Sequence, residues 1–137
     1  MTTHKILFGT YTKRISKGIY EAELNTETKQ LTNPQFIGSL TNPTYFALSQ
    51  ANKLYAVENR DGQGGVVTMD NSARPLQELE VHLSEGSAPA YIGVDEARQL
   101  VYAGYYHRGS VEVYRIDANG KLTLSDTFQN EGSGPRP

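Results

Sequence analysis

The residues able to do chemistry are few and scattered. The chain has no cysteine, which removes disulfides, thiolate metal sites and a cysteine nucleophile together. Its three histidines, His4, His82 and His107, lie far apart without cysteine or close aspartate partners, so no metal site is expected. No Gly-x-Ser-x-Gly elbow appears, and Gly62-Gln63-Gly64-Gly65 reads as a turn between strands with no helix behind it to cradle a phosphate. What remains is proton transfer and anion binding. Glu58 or His107 can serve as a base. Arg60, Arg108 and Arg136 can hold an anion or polarise a carbonyl, with Tyr105 beside them. Tyr105-Tyr106-His107-Arg108 is the densest cluster. His4 belongs to the chain end. His82, between Val81 and Leu83 and turned away from both, is expected to be exposed.

The elements that must position these residues are strands. Apolar runs and period-two patterns recur: Ile6–Tyr11, Gly18–Leu24, Phe36 with Gly38 and Leu40, Tyr45–Leu48, Leu54–Val57 and Val66–Met69. They continue as Leu79–Leu83, Tyr91–Val94, Leu100–Tyr102, Val111–Ile116 and Leu122–Thr127. That is about eleven strands, roughly one per 12 residues, the spacing of an all-β fold. Gln50–Lys53 and Asp95–Arg98 have hairpin length.

The strands repeat. Glu85-Gly86-Ser87-Ala88-Pro89 recurs 46 residues on as Glu131-Gly132-Ser133-Gly134-Pro135, and Pro43 lies 46 residues before Pro89. Pro43-Thr44-Tyr45-Phe46-Ala47-Leu48 matches Pro89-Ala90-Tyr91-Ile92-Gly93-Val94, and Leu54-Tyr55-Ala56 matches Val101-Tyr102-Ala103. A period in the forties holding four short strands marks a β-propeller blade. One blade is expected over residues 43–84 and the next over 89–130. Residues 5–40 supply a partial blade without its innermost strand, and 131–137 start another. The arc amounts to about 2.75 blades, fewer than the four or more of a closed ring. Tyr45 and Tyr91, and likewise Tyr55 and Tyr102, are expected at equivalent sites filling space between blades.

That phase places the polar loops together. Ligands of propellers sit near the central channel at one end of the ring. The loops on that face carry Lys13, Arg14, Asn42, Glu58, Asn59, Arg60, Tyr105, Tyr106, His107, Arg108 and Arg136.

Composition narrows the class further. The chain has 137 residues, 20% charged, a formal charge of −2 and scattered lysines and arginines, which argues against a nucleic-acid partner. No apolar run approaches the roughly 20 residues needed to span a bilayer, and the N-terminus lacks a signal-peptide pattern. A cytoplasmic protein without a membrane partner is the expectation.

Several of these segments carry a family resemblance. Phe8-Gly9-Thr10-Tyr11-Thr12, Gly18-Ile19-Tyr20, Asn42-Pro43-Thr44-Tyr45, Leu54-Tyr55-Ala56-Val57-Glu58-Asn59, Gly109-Ser110-Val111 and Gly132-Ser133-Gly134-Pro135 resemble the N-terminal region of the 6-phosphogluconolactonase family. These are seven-bladed β-propellers, and the fold also includes fungal carboxymuconate-lactonising enzymes. The likeness runs along essentially the whole chain and covers less than half of a typical member. It implies a hydrolase of carbohydrate metabolism that opens a sugar-acid lactone, foremost 6-phosphogluconolactone of the pentose phosphate pathway, without a cofactor. Glu58 or His107 would then activate water, and Arg60, Tyr105, Arg108 and Arg136 would bind the substrate. In the lactonising relatives a histidine-bearing stretch beyond the position of Pro137, and arginines of later blades, belong to the site. The 137-residue chain alone is therefore expected to be inactive and to self-associate through exposed blade edges. The alternatives are a muconate-type lactonising isomerase and a non-catalytic binding platform. The second lacks the Gly-His…Trp-Asp repeat signature, since tryptophan is absent.

Overall fold

The computed structural model of the chain describes residues 2–131; Arg136 lies outside the described residues. Strands β1 (Thr3–Phe8), β2 (Gly18–Asn25) and β3 (Gln30–Ser39) form a three-stranded sheet. A four-stranded sheet follows from β4 (Phe46–Ser49), β5 (Lys53–Arg60), β6 (Gln63–Asp70) and β7 (Gln77–Glu85). The last sheet is β8 (Tyr91–Asp95), β9 (Leu100–Tyr105), β10 (Ser110–Ile116) and β11 (Leu122–Gln129). Every pairing is antiparallel and joins consecutive strands, and no helix occurs among the described residues. The fold is an all-β propeller arc.

The strand registers carry the repeat into three dimensions. Phe46 faces Ala56 across β4 and β5, and Ile92 faces Ala103 across β8 and β9. Tyr45 and Tyr91 therefore enter equivalent inner strands, just after Pro43 and Pro89. Both four-stranded sheets also bulge at one equivalent place. Thr68 pairs with Glu80 while Met69 pairs with Glu78, and Val113 pairs with Asp126 while Tyr114 pairs with Leu124. The residues skipped, Leu79 and Ser125, are one 46-residue period apart. A bulge tightens the local twist, so both outer strands coil alike.

Packing between sheets explains the apolar runs. Along β5, Leu54 and Ala56 face the first sheet, where they join Ile19, Ile37, Leu40, Val67, Met69 and Leu76. Tyr55 and Val57 face the third sheet and join Val66, Ile92, Val101, Ala103, Tyr105, Tyr114 and Leu122. A strand covered on both faces loses the apolar–polar alternation of a half-exposed one. Among the described residues no strand ladder joins one sheet to the next. Burial of these side chains, roughly 1.5–3 kcal/mol for each large one, is what holds blade to blade.

Phe36, His82 and Tyr102 depart from the sequence reading, each for a local reason, and Tyr45 and Tyr91 meet it in part. Phe36 does not share a core face with Leu40: β3 bulges at Ile37, which enters the core, and Phe36 lies half-exposed against Tyr20 with ring centroids 5.7 Å apart. His82 is not free in solvent. It turns away from Val81, yet that side of β7 faces the third sheet, where its ring lies 5.4 Å from that of Tyr114 and its Nε2 meets Glu80. Tyr45 and Tyr91 touch across the blade boundary at 5.2 Å between ring centroids but stay 42% and 50% exposed. Tyr55 is fully buried, whereas Tyr102 is partly exposed because its side of β9 faces no sheet among the described residues.

Candidate functional site

Loops from all three sheets converge on a cavity of about 350 Å³. Tyr11 and Lys13 come from the β1–β2 loop, Asn42 and Thr44 from the β3–β4 connection, Asn59 from the end of β5, and His107 from the β9–β10 turn. The β7–β8 connection, Ser87 to Ala90, forms part of the wall. No carboxylate is among the lining residues. Its size lies within the range of small-molecule sites.

Glycine and asparagine let the loops meet. Gly9 lies so close to the Pro43 carbonyl that a Cβ there would sit 2.2 Å from its oxygen. Gly64 does the same under the next connection, where a Cβ would come 2.4 Å from the Ala88 nitrogen. Asn42 adopts φ 51°, a left-handed conformation that asparagine tolerates better than most residues. Its side-chain Oδ1 accepts the Thr12 backbone N–H at 2.7 Å and the Thr12 hydroxyl at 3.1 Å, and the Thr12 Oγ1 accepts the Asn42 N–H at 3.0 Å. The β1–β2 loop is thereby clamped to the β3–β4 connection, and the side-chain Nδ2 donors of Asn42 take no part in the clamp.

The residues singled out in the sequence separate into two sets. His107 reaches the cavity, an exposed imidazole edge-on to Tyr106 with centroids 5.1 Å apart. Lys13, Asn42 and Asn59 join it from the other loops. Glu58, Arg60, Tyr105 and Arg108 do not line it. Glu58 is 2% exposed; its Oε1 accepts the Thr41 N–H at 2.7 Å and the Asn59 N–H at 3.0 Å, and its Oε2 accepts Arg60 Nε at 3.0 Å. Arg60 also pairs with Glu78, and these two carboxylates hold its guanidinium above its ordinary pKa, Glu78 contributing most.

Arg108 joins two sheets. Its Nε donates to Ser87 O at 3.0 Å, its Nη1 to Ser84 Oγ at 2.7 Å, and its Nη2 to Gly64 O at 3.2 Å and Ser84 O at 3.1 Å. The guanidinium lies 4.2 Å from the centroid of the Tyr105 ring. Tyr105 is buried in the layer between the second and third sheets. Burial, followed by Glu112, pushes its phenol well above the ordinary range, so its hydroxyl stays protonated. Both residues shape the turn that presents His107. The sequence did not single out Tyr11 and Thr44 as lining residues, and Lys13 and Asn42 stood there only as loop members. The one local signal is Asn42-Pro43 at a blade boundary.

The sequence pattern of the lactonase family, described as a seven-bladed β-propeller, matches residues 5–137. The chain belongs to this lactonase family. A crystal structure of a Lactobacillus plantarum protein superposes with a TM-score of 0.93 at 47% identity, over 98% of this chain and 40% of that one. A Lactococcus lactis protein is 43% identical over 97% of the chain and 39% of its own length. A Bacillus subtilis protein named 6-phosphogluconolactonase is 41% identical over 98% of the chain and 40% of its own length. The lactonase-family chain thus spans about 40% of the length of the relatives it matches.

Proposed function

We propose that the full-length protein hydrolyses a sugar-acid lactone, opening 6-phosphogluconolactone to 6-phosphogluconate. The observation that carries this reading is a cavity lined by His107, Asn42, Asn59 and Lys13 with no carboxylate among its lining residues. Membership in the lactonase family and the Bacillus subtilis relative named 6-phosphogluconolactonase support it. His107 takes a proton from water as the water oxygen bonds to the lactone carbonyl carbon. Amide N–H groups of Asn42 and Asn59 donate to the developing oxyanion. The ring C–O bond then breaks, and the departing oxygen receives the proton from His107, giving the hydroxy acid. The full ring brings further groups to the same channel. A phosphorylated substrate also implies a cytoplasmic setting, where such sugars are retained.

The test is lactone opening by the full-length protein, measured against the spontaneous rate. Wild type is expected to exceed ~1 s⁻¹, and His107→Ala to lose about 100-fold in kcat, as for removal of a general base. No sugar lactone opened above background would overturn the reading. Cyclisation of a muconate in place of hydrolysis would favour the lactonising alternative.

A further inference from the structure

We infer that Lys13 forms the anion-binding end of the cavity and takes the phosphate of a phosphorylated sugar lactone, an assignment that rests on the lactonase reading above. The guanidinium groups of Arg60 and Arg108, whose chain neighbours Asn59 and His107 line the cavity, are already engaged. Arg108 makes four hydrogen bonds to Ser84, Ser87 and Gly64 and stacks on Tyr105. Arg60 is held between Glu58 and Glu78. A phosphate dianion would have to break these contacts before either arginine could bind it.

Lys13 is placed differently. Its Nζ lies 5.3 Å from the Tyr11 ring centroid, a contact with a π-face that leaves the ammonium's donors open. No salt-bridge partner for Lys13 is found among the described residues. The backbone that carries it is fixed: Thr12 is locked to Asn42, and Thr10 Oγ1 donates to Gly18 O at 2.6 Å. A mobile side chain on a pinned loop can meet a phosphate at the cavity rim without reordering the backbone. Arg14, the next residue, adds positive charge to the same loop. The carboxylate-free wall contributes nothing that repels a dianion. The lactone carbonyl then falls among Asn42, Asn59 and His107, with the sugar hydroxyls between them and Lys13.

The decisive experiment compares wild type, Lys13→Gln and Lys13→Arg in the full-length protein. Lys13 is exposed, so folding should survive both changes, and circular dichroism checks this. The ratio of kcat/KM for 6-phosphogluconolactone to that for unphosphorylated gluconolactone is expected to fall at least tenfold in Lys13→Gln. The loss should appear mainly in KM, and Lys13→Arg should restore most of it. An unchanged ratio overturns the assignment. If the wild-type protein opens neither lactone, the lactonase reading fails, and titration with inorganic phosphate then judges the subsite alone. Binding that Lys13→Gln weakens at least threefold supports it; no binding by wild type, or equal binding by both, overturns it.

Discussion

Replacing Arg108 with lysine should expose its role. In wild type the guanidinium ties the β9–β10 turn to the β7–β8 connection through Ser87 O, Ser84 Oγ, Ser84 O and Gly64 O. Lysine keeps the charge but offers a compact ammonium on a flexible stem, which cannot span these acceptors at once. Hydrogen bonds from a charged donor contribute about 1.5–3 kcal/mol each where they are buried. The Arg108 acceptors are largely exposed, so water replaces part of each lost bond. The stacking on Tyr105 adds about 0.5–1 kcal/mol at an exposed site. A total near ~2 kcal/mol for Arg108→Lys, and ~3 kcal/mol for Arg108→Ala, follows. Urea unfolding of the full-length protein reads this as a lower midpoint with an unchanged slope. Lactone turnover by the folded fraction should fall less than about threefold, well short of the tenfold that a lost 1.4 kcal/mol contact to the transition state would give. A turnover loss of 100-fold with an unmoved urea midpoint would refute this reasoning and return Arg108 to the substrate.

Three further outcomes follow from the same contacts. Arg74 holds the Glu21 carboxyl below its ordinary 4.5 by hydrogen bonding across the first and second sheets. A depressed carboxyl stabilises the fold above its unfolded pKa and stops doing so as pH falls through its folded value, so Glu21→Gln should cost about 0.5–1 kcal/mol at pH 7 and nothing near pH 2. Tyr55 donates to the buried Gly120 carbonyl at 2.8 Å, and burial pushes its phenol up to about 12. Tyr55→Phe should cost about 1–3 kcal/mol below pH 10, and that deficit should shrink as pH rises toward about 12, when wild type loses the protonated donor. The 137-residue chain expressed alone carries Phe128 65% exposed, with Leu124 and Val111 on the same open sheet. It should self-associate by light scattering, and Phe128→Glu should reduce that; a monomer at all concentrations would contradict it.

The sequence shows the strands and their grouping because Pro43 and Pro89, Tyr45 and Tyr91, and the Gly-Ser turns recur at one spacing. It is silent on features set by contacts between blades. His82 alternates with Val81 and Leu83 as an exposed residue does, yet its side of β7 meets another sheet. The bulges at Ile37 and Leu79 shift the period without any residue type that marks them. Glu58, Arg60 and Arg108 have the chemistry of site residues, and they flank Asn59 and His107, which line the cavity. Whether such a side chain faces the ligand or its own backbone depends on Thr41, Ser84 and Ser87, residues 17 to 24 positions away. Asn42 is informative only once its left-handed φ and the Thr12 clamp are seen.

The most direct measurement of the central claim is a crystal structure of the full-length protein soaked with 6-phosphogluconate, the product of the proposed reaction. The account predicts the phosphate at Lys13 and the new carboxylate within hydrogen-bond reach of His107, Asn42 and Asn59, with the hydroxyl chain between. Product bound elsewhere, with these four side chains in contact only with water, would contradict it.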